Sequence, residues 1–98
     1  MRVQKNITAE NQWSDKFKLV GDDGAIGIRR ALISTLQGTA DSTVSIRRYD
    51  PADGTTVISV TKVTEPAMAL EVPVEGIYDF GVATGDFGTG ACLVTVEQ

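Results

Sequence analysis

The chain has 98 residues, 42% of them apolar and 22% charged, which is enough for one domain with a single core. A formal net charge of −4 and a pI near 4.6 exclude nonspecific attachment to nucleic acid or to an anionic membrane. No apolar run approaches the roughly 20 residues that span a bilayer. Histidine is absent, which removes the commonest general base, the commonest zinc ligand and every Ser-His or Cys-His nucleophile pair.

The opening M-R-V-Q-K-N-I-T has no apolar h-region and does not read as a secretory signal, so a cytoplasmic site of synthesis and assembly is expected. Val3, Lys5 and Ile7 alternate weakly against Gln4, Asn6 and Thr8 and predict a first strand. Trp13, Asp15, Phe17 and Leu19 are expected to share one face of the next segment, which stops at the turn signal Gly21-Asp22-Asp23-Gly24. From Ile26 to Leu36 the chain is apolar on both faces. Ile28, Leu32, Ile33 and Leu36 also fit helical spacing, but the Ile/Thr content and the flanking Gly27 and Gly38 favour a strand.

Thr43 to Tyr49 alternates with Val44 and Ile46 inward. Asp50-Pro51-Ala52-Asp53-Gly54 is a hairpin loop, and Thr56 to Val63 is the β-branched return strand, broken at Glu65-Pro66. Met68, Leu70 and Val72 form a short strand ending at Pro73. The last segment, Gly76 to Gln98, predicts a closing hairpin. Tyr78, Phe80 and Val82 share one face of its first strand, and Cys92, Val94 and Val96 one face of its second. Gly85, Gly88 and Gly90 supply positive-φ freedom in the turn, and Asp86 and Thr89 can bond its backbone. About eight short strands with turn signals every 8–12 residues predict an all-β fold, an antiparallel β-sandwich or jelly-roll-like barrel, in one domain over residues 1–98.

Nothing in this pattern builds a reaction centre. Asp22-Asp23 and the Asp50/Asp53 loop are turn-forming residues, without the cleft that glycoside hydrolysis needs between carboxylates ~5–9.5 Å apart. They also lack the dense acidic spacing of a calcium loop. Gly85-Asp86-Phe87-Gly88-Thr89-Gly90 leads into a strand, where a phosphate-cradling loop would lead into a helix. The single cysteine, Cys92, lies between apolar neighbours and reads as a buried, unreactive thiol. Arg29-Arg30 and Arg47-Arg48 split between opposite strand faces and make no basic patch. No catalytic residue, cofactor or metal is therefore expected. Among the aromatic residues, Phe87 at a loop tip, Trp13 and Tyr49 are the candidate contacts for a partner.

These strands and turns carry a resemblance. The chain resembles the small β-sandwich virion proteins found among the head and tail structural proteins of tailed bacteriophages and prophages. The likeness lies in the opening strand running into W-S-D-K-F-K-L and in T-V-S-I-R-R-Y meeting a D-G turn. It continues in G-I-Y-D-F-G-V-A-T-G-D-F-G-T-G and in the A-C-L-V-T-V-E-Q strand. It is closest over Gly76 to Gln98 and looser from Trp13 to Val63, and the long apolar segment Ile26 to Leu36 departs from it.

The resemblance implies a non-enzymatic capsid decoration or cement protein, located in the virion and bound to the major capsid protein or another virion protein. It carries over no functional residues. The competing expectation is a carbohydrate- or receptor-binding module of a phage tail, using Trp13, Tyr49 or Phe87 as a stacking platform. Because small sandwiches leave strand edges open, the polar segment Met1 to Asn11 is expected to act as an arm on a neighbouring subunit, in a homo-oligomer such as a trimer.

Overall fold

A computed structural model describes residues 1–21, 29–37, 42–63, 65–72, 75–88 and 90–98. Among these residues nine strands follow one another: β1 (Arg2–Ile7), β2 (Gln12–Trp13), β3 (Phe17–Leu19), β4 (Arg29–Gln37), β5 (Val44–Tyr49), β6 (Val57–Val63), β7 (Ala67–Val72), β8 (Gly76–Val82) and β9 (Cys92–Glu97). They form two antiparallel sheets. One has the order β1-β9-β4-β7; the other has the order β2-β8-β5-β6, with β3 also paired to β8. This is the β-sandwich expected from the strand spacing. The turn at 22–24, the start of the long apolar segment at 26–28, Gly38, Pro73 and Thr89 lie outside the described residues.

The period-2 apolar rows become the two inner faces. Ile7, Ala31, Ile33, Val72, Cys92, Val94 and Val96 come from the first sheet. Leu19, Val44, Ile46, Val63, Tyr78, Phe80 and Val82 meet them from the second. Phe80 is fully buried, with its ring centroid 5.9 Å from that of Phe17. Burying each such side chain contributes about 1.5–3 kcal/mol, the main favourable term in a domain of this size. Burial also pushes the Cys92 thiol pKa up, as suits an unreactive core cysteine.

The closing segment differs from its expected form. β8 and β9 do not pair; they belong to opposite sheets. Their apolar rows do face inward, but from facing layers, and the connection between them crosses the end of the sandwich. The reason lies in β8, whose two edges are already taken by β5 on one side and by β2 and β3 on the other. A tight hairpin would also have turned both rows to the same face of one sheet, leaving neither to cover the other. The turn glycines behave as expected at two positions, Gly85 (φ 85°) and Gly90 (φ 82°).

Of segment 1–11, expected as an arm, Arg2–Ile7 is laid into the chain's own sheet. β1 pairs with β9 from Arg2↔Glu97 to Ile7↔Cys92, and Ile7 is fully buried. The expected common face from Trp13 to Leu19 is broken as well. Trp13 lies opposite Gly81 and Phe17 opposite Tyr78, so the three residues 14–16 span only two of β8. One extra residue in a strand reverses which face its side chains take. Trp13 therefore sits on the outer face while Phe17 and Leu19 point to the core.

The outer-face position of Trp13 depends on Gly81. A Cβ at Gly81 would lie 2.2 Å from the Gln12 backbone oxygen and 2.6 Å from Trp13 ring atoms. The backbone oxygen cannot swing aside. Gly81→Ala is expected to push β2 off β8 at a cost of about 1–3 kcal/mol. The fluorescence of Trp13, the sole tryptophan, should shift red before the rest of the domain unfolds. An unchanged emission spectrum would show that β2 tolerates the methyl group.

Candidate functional site

The densest group of polar and aromatic side chains lies on the outer face of the β2-β8-β5-β6 sheet. Strand alternation puts Asp79 of β8 on that face, directly opposite Arg47 of β5. Asp79 is 3% exposed, so its charge must be met locally. Arg47 donates from Nε to Oδ1 (2.8 Å) and from Nη2 to Oδ2 (2.6 Å), a bidentate clamp. Tyr49, two residues further along β5 and therefore on the same face, donates its hydroxyl to Oδ2 at 2.6 Å.

Rings and cations stack around this clamp. The Arg47 guanidinium lies 3.5 Å from the centroid of the Trp13 ring and 5.6 Å from that of Tyr49. Lys16 places Nζ 4.2 Å from the Tyr49 centroid and donates to the Gly54 carbonyl at 2.6 Å. These are cation–π contacts, and Arg47 is held by both faces of its chemistry, planar stacking and forked donation. Its pKa is raised, first by the hydrogen bond to Asp79. The Tyr49 phenol is pushed up to about 12, mainly by burial and then by the bond it donates to Asp79. Burial also raises Tyr78.

The three aromatic candidates separate. Trp13 and Tyr49 are brought together around Arg47, but Trp13 is half-buried with the guanidinium on its ring, and Tyr49 is 4% exposed. Phe87 lies elsewhere, half-buried against the core. The loop around it is pinned by Thr43 N–H to the Asp86 carbonyl (2.8 Å), Gly88 N–H to Ser42 Oγ (2.8 Å) and the Lys62–Asp86 ion pair (3.1 Å). The rings do not form a common platform on which a sugar could stack.

The acidic hairpin loop is occupied by its own backbone. Asp50 accepts from Ala52 N–H, and Asp53 accepts from Thr55 and Thr56 N–H and from the Thr56 hydroxyl. Those bonds hold the exposed Asp53 carboxyl at a pKa of about 2. Among the described residues no group of three or more His, Cys, Asp or Glu side chains could hold a metal ion.

Arg47, Asp79 and Lys16 had not been singled out from sequence. The available signal was a lone carboxylate inside I-Y-D-F-G-V, in a strand otherwise apolar or glycine. Such a charge calls for a partner on the neighbouring strand, but the alternation does not say which strand that is. Compared with protein-family models, curated proteins and solved structures, the chain matches none of them.

Asp79→Ala strands Arg47 and the Tyr49 hydroxyl. The expected loss is about 3 kcal/mol, at the low end for a broken buried pair because the Arg47 side chain keeps 24% of its surface in solvent. Denaturant unfolding of the variant measures it, and a loss under about 1 kcal/mol would mark the pair as a surface one. Spectroscopic titration gives a second test. Tyr49 and Tyr78, the only tyrosines, are both raised, so less than half of the phenol should be ionised at pH 10. For a raised pKa, the stabilising contribution of Tyr49 is complete below its unfolded value near 10 and is lost as pH rises through about 12. Tyr49→Phe should flatten that alkaline limb.

Proposed function

We propose that the protein is a structural subunit of a tailed-phage particle, a capsid decoration protein that packs on the shell and stabilises it. The observation that carries this reading is the distribution of polar and apolar groups. The buried carboxylate of Asp79 is fully engaged by Arg47 and Tyr49, which leaves it no free face for a substrate. Most of the exposed large apolar side chains lie instead on strands, Met1 and Val20 being the exceptions. Leu32 and Leu36 stand on one sheet, and Val57, Ile58 and Val60 on the other. Flat apolar strips on a rigid sandwich suit broad packing against another protein. The acidic surface fits a position on the outside of a shell, away from packaged DNA.

The resemblance noted in the sequence points the same way and supplies the kind of partner, the major capsid protein or another virion protein. The segment expected as an arm on a neighbouring subunit pairs with β9 over Arg2–Ile7 and forms one edge of its sheet.

Mass spectrometry of purified particles is the direct test. The protein should be recovered in constant ratio to the major capsid protein. Leu36→Glu, at a side chain 70% exposed, should weaken attachment at least tenfold with the melting temperature unchanged. Absence from the particle would remove the proposal.

A further inference from the structure

Arg47 and Arg48, adjacent in β5, meet different surroundings. Arg47 faces outward, where Asp79 lies opposite it and Tyr49 shares the bond to that carboxylate. Arg48 faces inward, because neighbours in a strand point to opposite sides. Its partner across the ladder in β8 is Tyr78, a core residue 5% exposed. Among the described residues no carboxylate pairs with Arg48, and its Nε is buried without a hydrogen-bond partner.

The two side chains meet over Gly76, the first residue of β8. A Cβ at Gly76 would be 2.8 Å from Tyr78 Cε2 and 3.1 Å from Arg48 Nε, so both lean over a position that glycine leaves clear. The phenol feels the charge: burial raises the Tyr78 pKa, and Arg48 opposes that rise. A guanidinium does not deprotonate in a protein, so half-buried Arg48 keeps its charge and calls for an anion. With Nε enclosed, the two terminal nitrogens are the donors left to reach one, together with the hydroxyl of Tyr78 on the neighbouring strand.

We infer that Arg48 and Tyr78 form a binding site for a carboxylate carried by another molecule. The chemistry is that of the opposite face, where an arginine and a tyrosine of the same sheet hold the carboxylate of Asp79. The planar fork of the guanidinium matches the two oxygens of a carboxylate, and the phenol supplies a further donor. Charge favours a monoanion. One guanidinium neutralises one carboxylate, whereas a phosphate dianion would leave surplus negative charge on a chain already at −4. Two sources share this chemistry, a small free acid and the acidic terminus of a protein. Neither depends on the decoration reading, and the site can be tested without a particle.

The test follows the Arg48 Nε–H resonance of the whole chain by NMR at neutral pH, exchanging chloride for acetate at constant ionic strength. Acetate should shift the resonance saturably, and inorganic phosphate should bind at least tenfold more weakly. Arg48→Lys keeps the charge without the fork, so acetate affinity, followed then at the Gly76 and Tyr78 amides, should fall at least tenfold. Tyr78→Phe keeps the ring in the core and should lower affinity at least twofold; it carries the test if Arg48→Lys fails to fold. N-acetylglycine separates the sources: binding tenfold tighter than acetate marks a protein terminus, and equal binding a free acid. The inference is overturned by the absence of a saturable shift, or by affinity unchanged in either folded variant. Phosphate binding as tightly as acetate would mark an adventitious ion only and overturns it too. So does a tenfold gain in acetate affinity on combining Asp22→Asn, Asp23→Asn and Glu75→Gln, because the chain's own carboxylate would then be the natural occupant.

Discussion

A carboxylate in the middle of the most heavily buried strand must be neutralised where it stands. That requirement at Asp79 organises the outer half of the molecule. Arg47 is set opposite it by the β5–β8 register, and Tyr49 reaches it from the same face. The guanidinium clamped there provides a flat cation for the Trp13 ring. Trp13 in turn holds down β2, which is only two residues long. Lys16 continues the stack over Tyr49 to the Gly54 carbonyl, tying the β2–β3 irregularity to the β5–β6 hairpin. One buried charge thus links two connections that lie far apart in the chain.

β8 is the axis of this arrangement. Its two edges bond β5, β2 and β3, one face carries Tyr78, Phe80 and Val82 into the core, and the other carries Asp79. A strand used on every side cannot also accept its successor. β9 is sent to the opposite sheet, where it takes the central place between β1 and β4. The crossing connection therefore has a structural task. Phe87 plugs the end of the core and Asp86 holds Lys62, so the loop that might have served as an exposed contact is consumed in joining the layers.

The outer surfaces follow from the same economy. With Asp79, Arg47 and Tyr49 of the β2-β8-β5-β6 sheet bonded to one another, what remains exposed on the strands is partly apolar. A surface of this kind suits protein packing.

Alternation alone determined the all-β class, the existence of most strands and the identity of the core rows, because a strand buries every second residue wherever it pairs. Val44, Ile46, Tyr78, Phe80, Val82, Cys92, Val94 and Val96 could be assigned to the interior from that pattern, and the thiol of Cys92 with them. The Asp50–Gly54 turn was equally legible, since its residues bond their own backbone. Pairing was not legible. Hydrogen bonding between strands is written in the backbone, which every residue shares, so nothing local says that β9 passes over β8 or that β1 belongs to its own sheet. The face of Trp13 was hidden for a related reason: one extra residue among positions 14–16 reverses it, and only the register against β8 reveals that residue. The clamp on Asp79 needed both pieces of information, the neighbour across the sheet and the face it shows, and only the tertiary structure supplies them.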